Sequence, residues 1–160
     1  MVNVFNTGEV VDIGIEKEKA RKKFYDQVAN HFDEPEMKEL FIKLRDWEDA
    51  HIRKFQSIRD ALNEPKTVES YPGEMDAYGQ ALVDDKLYTE VNPDAFSQYV
   101  KTPLDAINYG IQFEKDAIFF FQEMAHFIKS NQEDVILQLI EEERKHIVYL
   151  VQLKKKITEK

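Results

Sequence analysis

The chain of 160 residues contains no cysteine. That absence excludes disulfides, thiolate zinc sites, iron–sulfur clusters and rubredoxin-type iron centres within it. Glycine and proline are scarce, five of each, which favours helix over sheet. Cations are outnumbered: Lys and Arg total 22 against 31 Asp and Glu, a net charge of −9. A nucleic-acid partner is therefore not expected, since a phosphate-binding surface should be basic. No stretch approaches the roughly 20 apolar residues of a membrane span. The first nine residues lack a basic region followed by an apolar run. The expectation is one soluble cytoplasmic domain over residues 1–160, with no membrane partner and length enough for a core of four long helices.

What the sequence does contain is helical seams with polar residues in the middle. Ile136, Leu139, Glu143, His146, Leu150, Leu153 and Ile157 recur at alternating spacings of three and four, the inner face of a long packed helix. An acid and an imidazole in mid-seam need partners, because burying either alone costs on the order of several kcal/mol. The same pattern runs through Met37, Phe41, Leu44, Glu48, His51, Phe55, Ile58 and Leu62. Two further stripes carry one acid each. Val11, Ile15, Glu18, Lys22, Tyr25, Ala29 and Phe32 form the first, and the stem of Lys22 can carry its ammonium out of the core. Ile107, Gly110, Glu114, Ala117, Phe121, Met124 or Ala125, and Ile128 form the second.

The ends of these segments carry helix signals. Asn6-Thr7-Gly8-Glu9 reads as a capping box, and Asp33 as an N-cap followed by Pro35 in the first turn. Thr102-Pro103-Leu104-Asp105 repeats that arrangement, and Asn131 can cap the last helix. Links this short make consecutive helices antiparallel neighbours. Residues 63–101 break the pattern at Pro65, Pro72, Gly73, Gly79 and Pro93. They read as a crossover holding one short helix within 74–87, with Met75, Tyr78 and Leu82 against the bundle. The predicted fold is all-α: a four-helix bundle of two antiparallel hairpins joined by a long crossover.

The halves repeat. Glu18 precedes Phe24-Tyr25 and then Glu48 and His51; Glu114 precedes Phe120-Phe121 and then Glu143 and His146. The acid-to-acid intervals are 30 and 29 residues, and both E-x-x-H pairs lie in a seam. Positions i and i+3 of a helix share a face about 4.5 Å apart along the axis, so each pair can reach one metal ion or two adjacent ones. Two hairpins packed face to face would bring four carboxylates and two imidazoles to one level. Four carboxylates carry −4 and two divalent cations +4, so a filled site would be neutral. Oxygen-rich ligands with one imidazole per metal suit iron or manganese better than calcium or structural zinc. This is the general arrangement of di-iron and di-manganese bundle proteins.

On these residues the chain resembles the rubrerythrin-like branch of the ferritin-like superfamily. The resemblance rests on Glu18 with Phe24-Tyr25, Glu48-Asp49-Ala50-His51, Glu114-Lys115-Asp116-Ala117 with Phe120-Phe121, and Glu143-Arg144-Lys145-His146. It implies Glu18 and Glu114 as terminal ligands, Glu48 and Glu143 as bridges, and His51 and His146 each on one metal. Metals so bridged lie about 3.5–4 Å apart. Two departures stand out. Peroxide-reducing rubrerythrins carry an extra carboxylate one turn after the third-helix glutamate, where this chain has Ala117, leaving room at the metals. The rubredoxin domain that often delivers electrons is missing, so the resemblance implies a separate electron donor.

Other residues are given plainer roles. His31 and His126 are read as surface or capping groups. Phe24 and Phe119-Phe120-Phe121 are read as core, and Lys154-Lys155-Lys156 as a favourable cationic helix C-terminus. Glu141-Glu142 reads as solvated helix surface. Tyr25 is the phenol expected beside the site, as a redox-active or hydrogen-bonding neighbour or a plain core tyrosine. The functional expectation is a non-haem di-iron protein, with manganese as the alternative metal. It would react with O2 or hydrogen peroxide in iron oxidation or oxidative-stress protection, as a ferroxidase or peroxidase-like oxidoreductase. A homodimer or higher homo-oligomer is expected. The alternatives are an iron-storage subunit of a larger assembly, or a di-iron oxygenase acting on an organic substrate in a pocket beside Ala117.

Overall fold

The computed structural model describes residues 7–62, 95–126 and 133–160. Among them all regular structure is helical: α1 (Thr7–His31), α2 (Pro35–Ala61), a single turn α3 (Phe96–Tyr99), α4 (Pro103–Ala125) and α5 (Glu133–Thr158). The expected helix within 74–87, the caps at Asn6 and Asn131, and Ile128 lie outside the described residues.

Local chemistry sets the ends. Thr102 Oγ1 accepts from the Asp105 backbone N–H at 3.1 Å, and Asp105 accepts from that of Thr102 at 2.9 Å, a full capping box at the start of α4. At α2 the expectation is corrected: the N-cap position falls on Glu34, not Asp33, and no side chain caps it. Pro35 is the reason, because its fixed φ and missing N–H suit the first helical position and leave the cap to the residue just before it. The turn α3, which the sequence reading did not anticipate, buries Phe96 against Phe24 (ring centroids 5.9 Å apart) and His31 (5.4 Å).

The helices pair as α1 with α2 and α4 with α5, and more lightly as α1 with α4 and α2 with α5. Each pairing is antiparallel, because partner numbers fall on one helix as they rise on the other. Asp12, Asp26 and Lys22 of α1 meet Arg59, Arg45 and Asp49 of α2. Across the hairpins, Tyr25 meets Glu114 and Lys17 meets Asp116, while Trp47 meets Tyr149 and Lys54 meets Glu142. Gly14 of α1 faces α4, where an added Cβ would meet the flexible end of Met124, Cε, at 2.6 Å.

The four predicted seams face inward. All their members within the described residues are buried except Lys22, Leu62, Ala125 and Ile157, which are half-buried. The apolar ones fall into two clusters, one around Tyr25, Leu44, Phe113 and Leu150, the other around Ile15, Phe55, Phe121 and Ile140. Between them runs a polar level. Phe119 is a correction: it is 63% exposed, while Phe24, Phe120 and Phe121 are buried. Successive helical positions turn by about 100°, so three in a row cannot all face the core.

Candidate metal centre

The polar level is built from the middle of every long helix. Glu18 (α1), Glu48 and His51 (α2), Glu114 (α4), and Glu143 and His146 (α5) are all buried. The structure thus brings together all six residues singled out by spacing. Their ligand atoms form two quartets, Glu18–Glu48–His51–Glu143 and Glu48–Glu114–Glu143–His146, each with its atoms within 4.8 Å of one another. Each hairpin supplies three members of one quartet and a single carboxylate to the other.

Glu48 and Glu143 belong to both quartets and divide their oxygens between them. Glu143 Oε1 lies 2.8 Å from His51 Nδ1, and its Oε2 lies 2.8 Å from His146 Nδ1. Glu48 Oε2 lies 3.8 Å from His51 Nδ1, and its Oε1 lies 3.5 Å from His146 Nδ1. Despite these distances, Glu18 Oε2, Glu48 Oε1, Glu114 Oε2, both oxygens of Glu143 and both Nδ1 atoms make no hydrogen bond. Converging buried polar atoms without hydrogen bonds are costly unless something cationic satisfies them, so the donor set fits a metal ion.

The ordinary protonation pattern is strongly disturbed. Burial pushes Glu48 well up, reinforced by the charges of Glu143, Glu18 and Glu114. Burial and the Glu143 charge push Glu114 up to about 8. For Glu18, burial is outweighed by the Arg21 guanidinium, which holds its carboxyl below the usual range. Burial is outweighed for Glu143 too, by its contacts with Glu114, His146 and His51, which hold it well down. Burial would lower both imidazoles, but the facing carboxylates prevail: His51 is raised to about 11, and His146 is raised further. In the metal-free level these shifts favour the charged forms of Glu18, Glu143, His51 and His146 and the neutral forms of Glu48 and Glu114.

Four side chains that spacing did not single out shape this level. Arg21 is fully buried, pairs with Glu18, lies 3.5 Å through Nε from Glu48, and stands over the Phe121 ring at 5.8 Å. Its i+3 spacing from Glu18 was the available signal. Lys19, Lys22 and Lys23 nearby hid it, since sequence alone does not say which cation turns inward. The charge balance changes accordingly: with Arg21 counted, two dications would leave the level at +1 rather than neutral. Glu142 corrects the solvated-surface reading. Only 29% exposed, it accepts from His51 Nε2 at 2.7 Å and from Lys54 at 3.2 Å. Because a carboxylate only accepts, Nε2 carries the proton, and neutral His51 would present a bare Nδ1 to the quartet. Trp47 and Tyr149 pack beyond His146.

Tyr25 is fully buried and donates from its hydroxyl to Glu114 Oε1 at 2.6 Å. Burial and the Glu114 charge raise it, so it stays a neutral donor. Ala117 is fully buried in an apolar cluster. A cleft of about 340 Å³ adjoins the level, lined by Trp47, His51, Glu142 and His146 among others. His31 and His126 are exposed at helix ends, as expected.

Among the described residues, no helix is long and apolar enough to cross a membrane. Fold and site together define a helical bundle with a buried Glu/His cluster that could hold a metal ion. Compared with known proteins, the chain matches no family model, no curated protein and no solved structure.

Proposed function

We propose that the protein is a di-metal carboxylate protein of ferritin-like architecture, a non-haem di-iron centre that reacts with O2 or hydrogen peroxide. The observation that carries the reading is the pair of quartets sharing Glu48 and Glu143, each shared carboxylate aiming one oxygen at each quartet. Glu18 and His51 would complete one metal site, and Glu114 and His146 the other. Oxygen-rich donors with one imidazole per ion favour iron, with manganese second. The antiparallel pairing of α1 with α4 and of α2 with α5 supports the helix directions of a ferritin-like bundle.

Such ions would supply Lewis acidity and one reducing equivalent each. The chain's own residues supply the rest. Glu143 and Glu48 hold the two sites in register, and Glu142 fixes the His51 tautomer. Tyr25 keeps a neutral donor on Glu114, and the apolar clusters above and below exclude water. Arg21 leaves a filled site with one positive charge in excess, which favours an anionic guest such as hydroxide or hydroperoxide. Anaerobic Fe(II) titration tests the reading. Saturation near two ions per chain, with ferric absorption appearing on exposure to O2 or peroxide, is expected; saturation at one Fe(II) per chain, or no binding, would sink it.

A further inference from the structure

Beside His146 stands a row of aromatic rings. The Trp47 indole lies flat on the His146 imidazole, with centroids 4.8 Å apart and planes 8° from parallel. Tyr149 stacks on Trp47 at 5.5 Å and 28°. Trp47 is half-buried and Tyr149 is 40% exposed, so the row runs unbroken from a candidate ligand to the surface. It ends at the cleft of about 340 Å³, whose lining also includes Lys54 and Lys145.

Indole and phenol are the aromatic side chains most readily oxidised by one electron, and stacked rings give the orbital contact that electron transfer needs. Among the described residues Tyr25 has no comparable path. Its hydroxyl is committed to Glu114, it is fully buried, and its ring packs on Phe24 and Phe41, which are far harder to oxidise.

We propose that Trp47 and Tyr149 form an electron relay between the candidate metal centre and the surface. The proposal rests on the redox reading above. After O2 or peroxide has oxidised the centre, the indole of Trp47 gives one electron inward through His146 and is left as a radical cation. Tyr149 then passes one electron to Trp47 and its phenolic proton to water. An external one-electron reductant, small molecule or redox protein, returns the electron to Tyr149, which takes a proton back from water. Each cycle moves one electron from donor to centre, with no net change in protons.

Two experiments test the relay. Trp47 is the single tryptophan of the chain, so azide radicals generated by pulse radiolysis in the metal-free protein will oxidise a unique indole. The indolyl radical should decay as a tyrosyl radical grows in, and this intramolecular phase should be lost in Tyr149→Phe. An unchanged phase in Tyr149→Phe overturns the relay. In Fe(II)-loaded protein given peroxide without reductant, freeze-quench electron paramagnetic resonance should show an indole- or phenol-centred radical that disappears in Trp47→Phe while iron still oxidises. A radical that survives Trp47→Phe but vanishes in Tyr25→Phe, or iron that oxidises with no protein radical, refutes the relay and leaves the di-iron reading intact. A chain that takes up no oxidisable iron refutes both.

Discussion

Arg21 and Glu18 form an ion pair in which neither side chain is exposed. The same guanidinium reaches Glu48, so one cation braces the acids of two helices before any metal is present. Replacing Arg21 by Met keeps much of the volume and removes the charge. Breaking a buried pair from one side costs about 3–5 kcal/mol, and a loss of that order is expected in urea unfolding of metal-free Arg21→Met. Saturating zinc should recover part of the gap, because an ion then compensates Glu18. A variant as stable as the parent without metal would show that the guanidinium is not needed there.

Protons hold the metals' places. Protonated Glu48 and Glu114 and the imidazolium forms of His51 and His146 must each lose a proton to become ligands. Near neutral pH, loading two dications should therefore release about four protons per chain. The number should fall toward about three above pH 8, where Glu114 is already ionised. Titration calorimetry in buffers of different ionisation enthalpy measures this directly, and release of one proton or none would contradict the protonation pattern.

Stability of the metal-free protein should fall as pH rises above about 5. Glu114 is raised from 4.5 to about 8, so its contribution is complete below 4.5 and is lost on the way to pH 8. His51, raised from 6.5 to about 11, loses its contribution from 6.5 upward. Glu18 and Glu143 are lowered, so theirs is present above 4.5 and lost in stronger acid. Metal affinity runs the other way, growing as protons cease to compete. The difference in melting temperature between zinc-loaded and metal-free protein should widen steadily from weakly acidic to weakly alkaline pH. A constant difference would argue against linked protons.

Glu142→Gln keeps an acceptor for His51 Nε2 but removes its charge. Carboxylates behind a ligating histidine are worth about 10–100-fold in metal affinity. A loss in that range is expected by competition with a chelator. Glu141→Gln is the control, since Glu141 is exposed and pairs with Arg144 on its own helix. Equal affinities for the two variants would remove Glu142 from the site.

The seams, the helix pairing and the six central residues were legible in the sequence for one reason. Residues three and four apart must share a helix face, and a Glu and a His in an otherwise aliphatic face cannot be left without partners. What was not legible depends on the neighbouring helix. Arg21 turns inward because Glu48 of α2 awaits it, and Glu142 differs from Glu141 only by facing His51 and Lys54. Trp47 and Tyr149 meet across two helices, and no spacing along one chain segment predicts that. Asp33 and Phe119 failed for local reasons, a proline that moved the cap and a run of like residues too dense for one face.

Glu48 stands on one hairpin and Glu143 on the other, and each completes the quartet that the opposite hairpin begins. Neither half of the chain can thus be a working binding unit by itself. An ion that enters becomes a clasp between the halves, and its departure frees them to part at mid-height while each keeps its own paired helices. Chelation should then loosen the seam between hairpins before it melts any helix, so that a proteolytic cut between residues 62 and 95 becomes tolerable only while the clasp is closed.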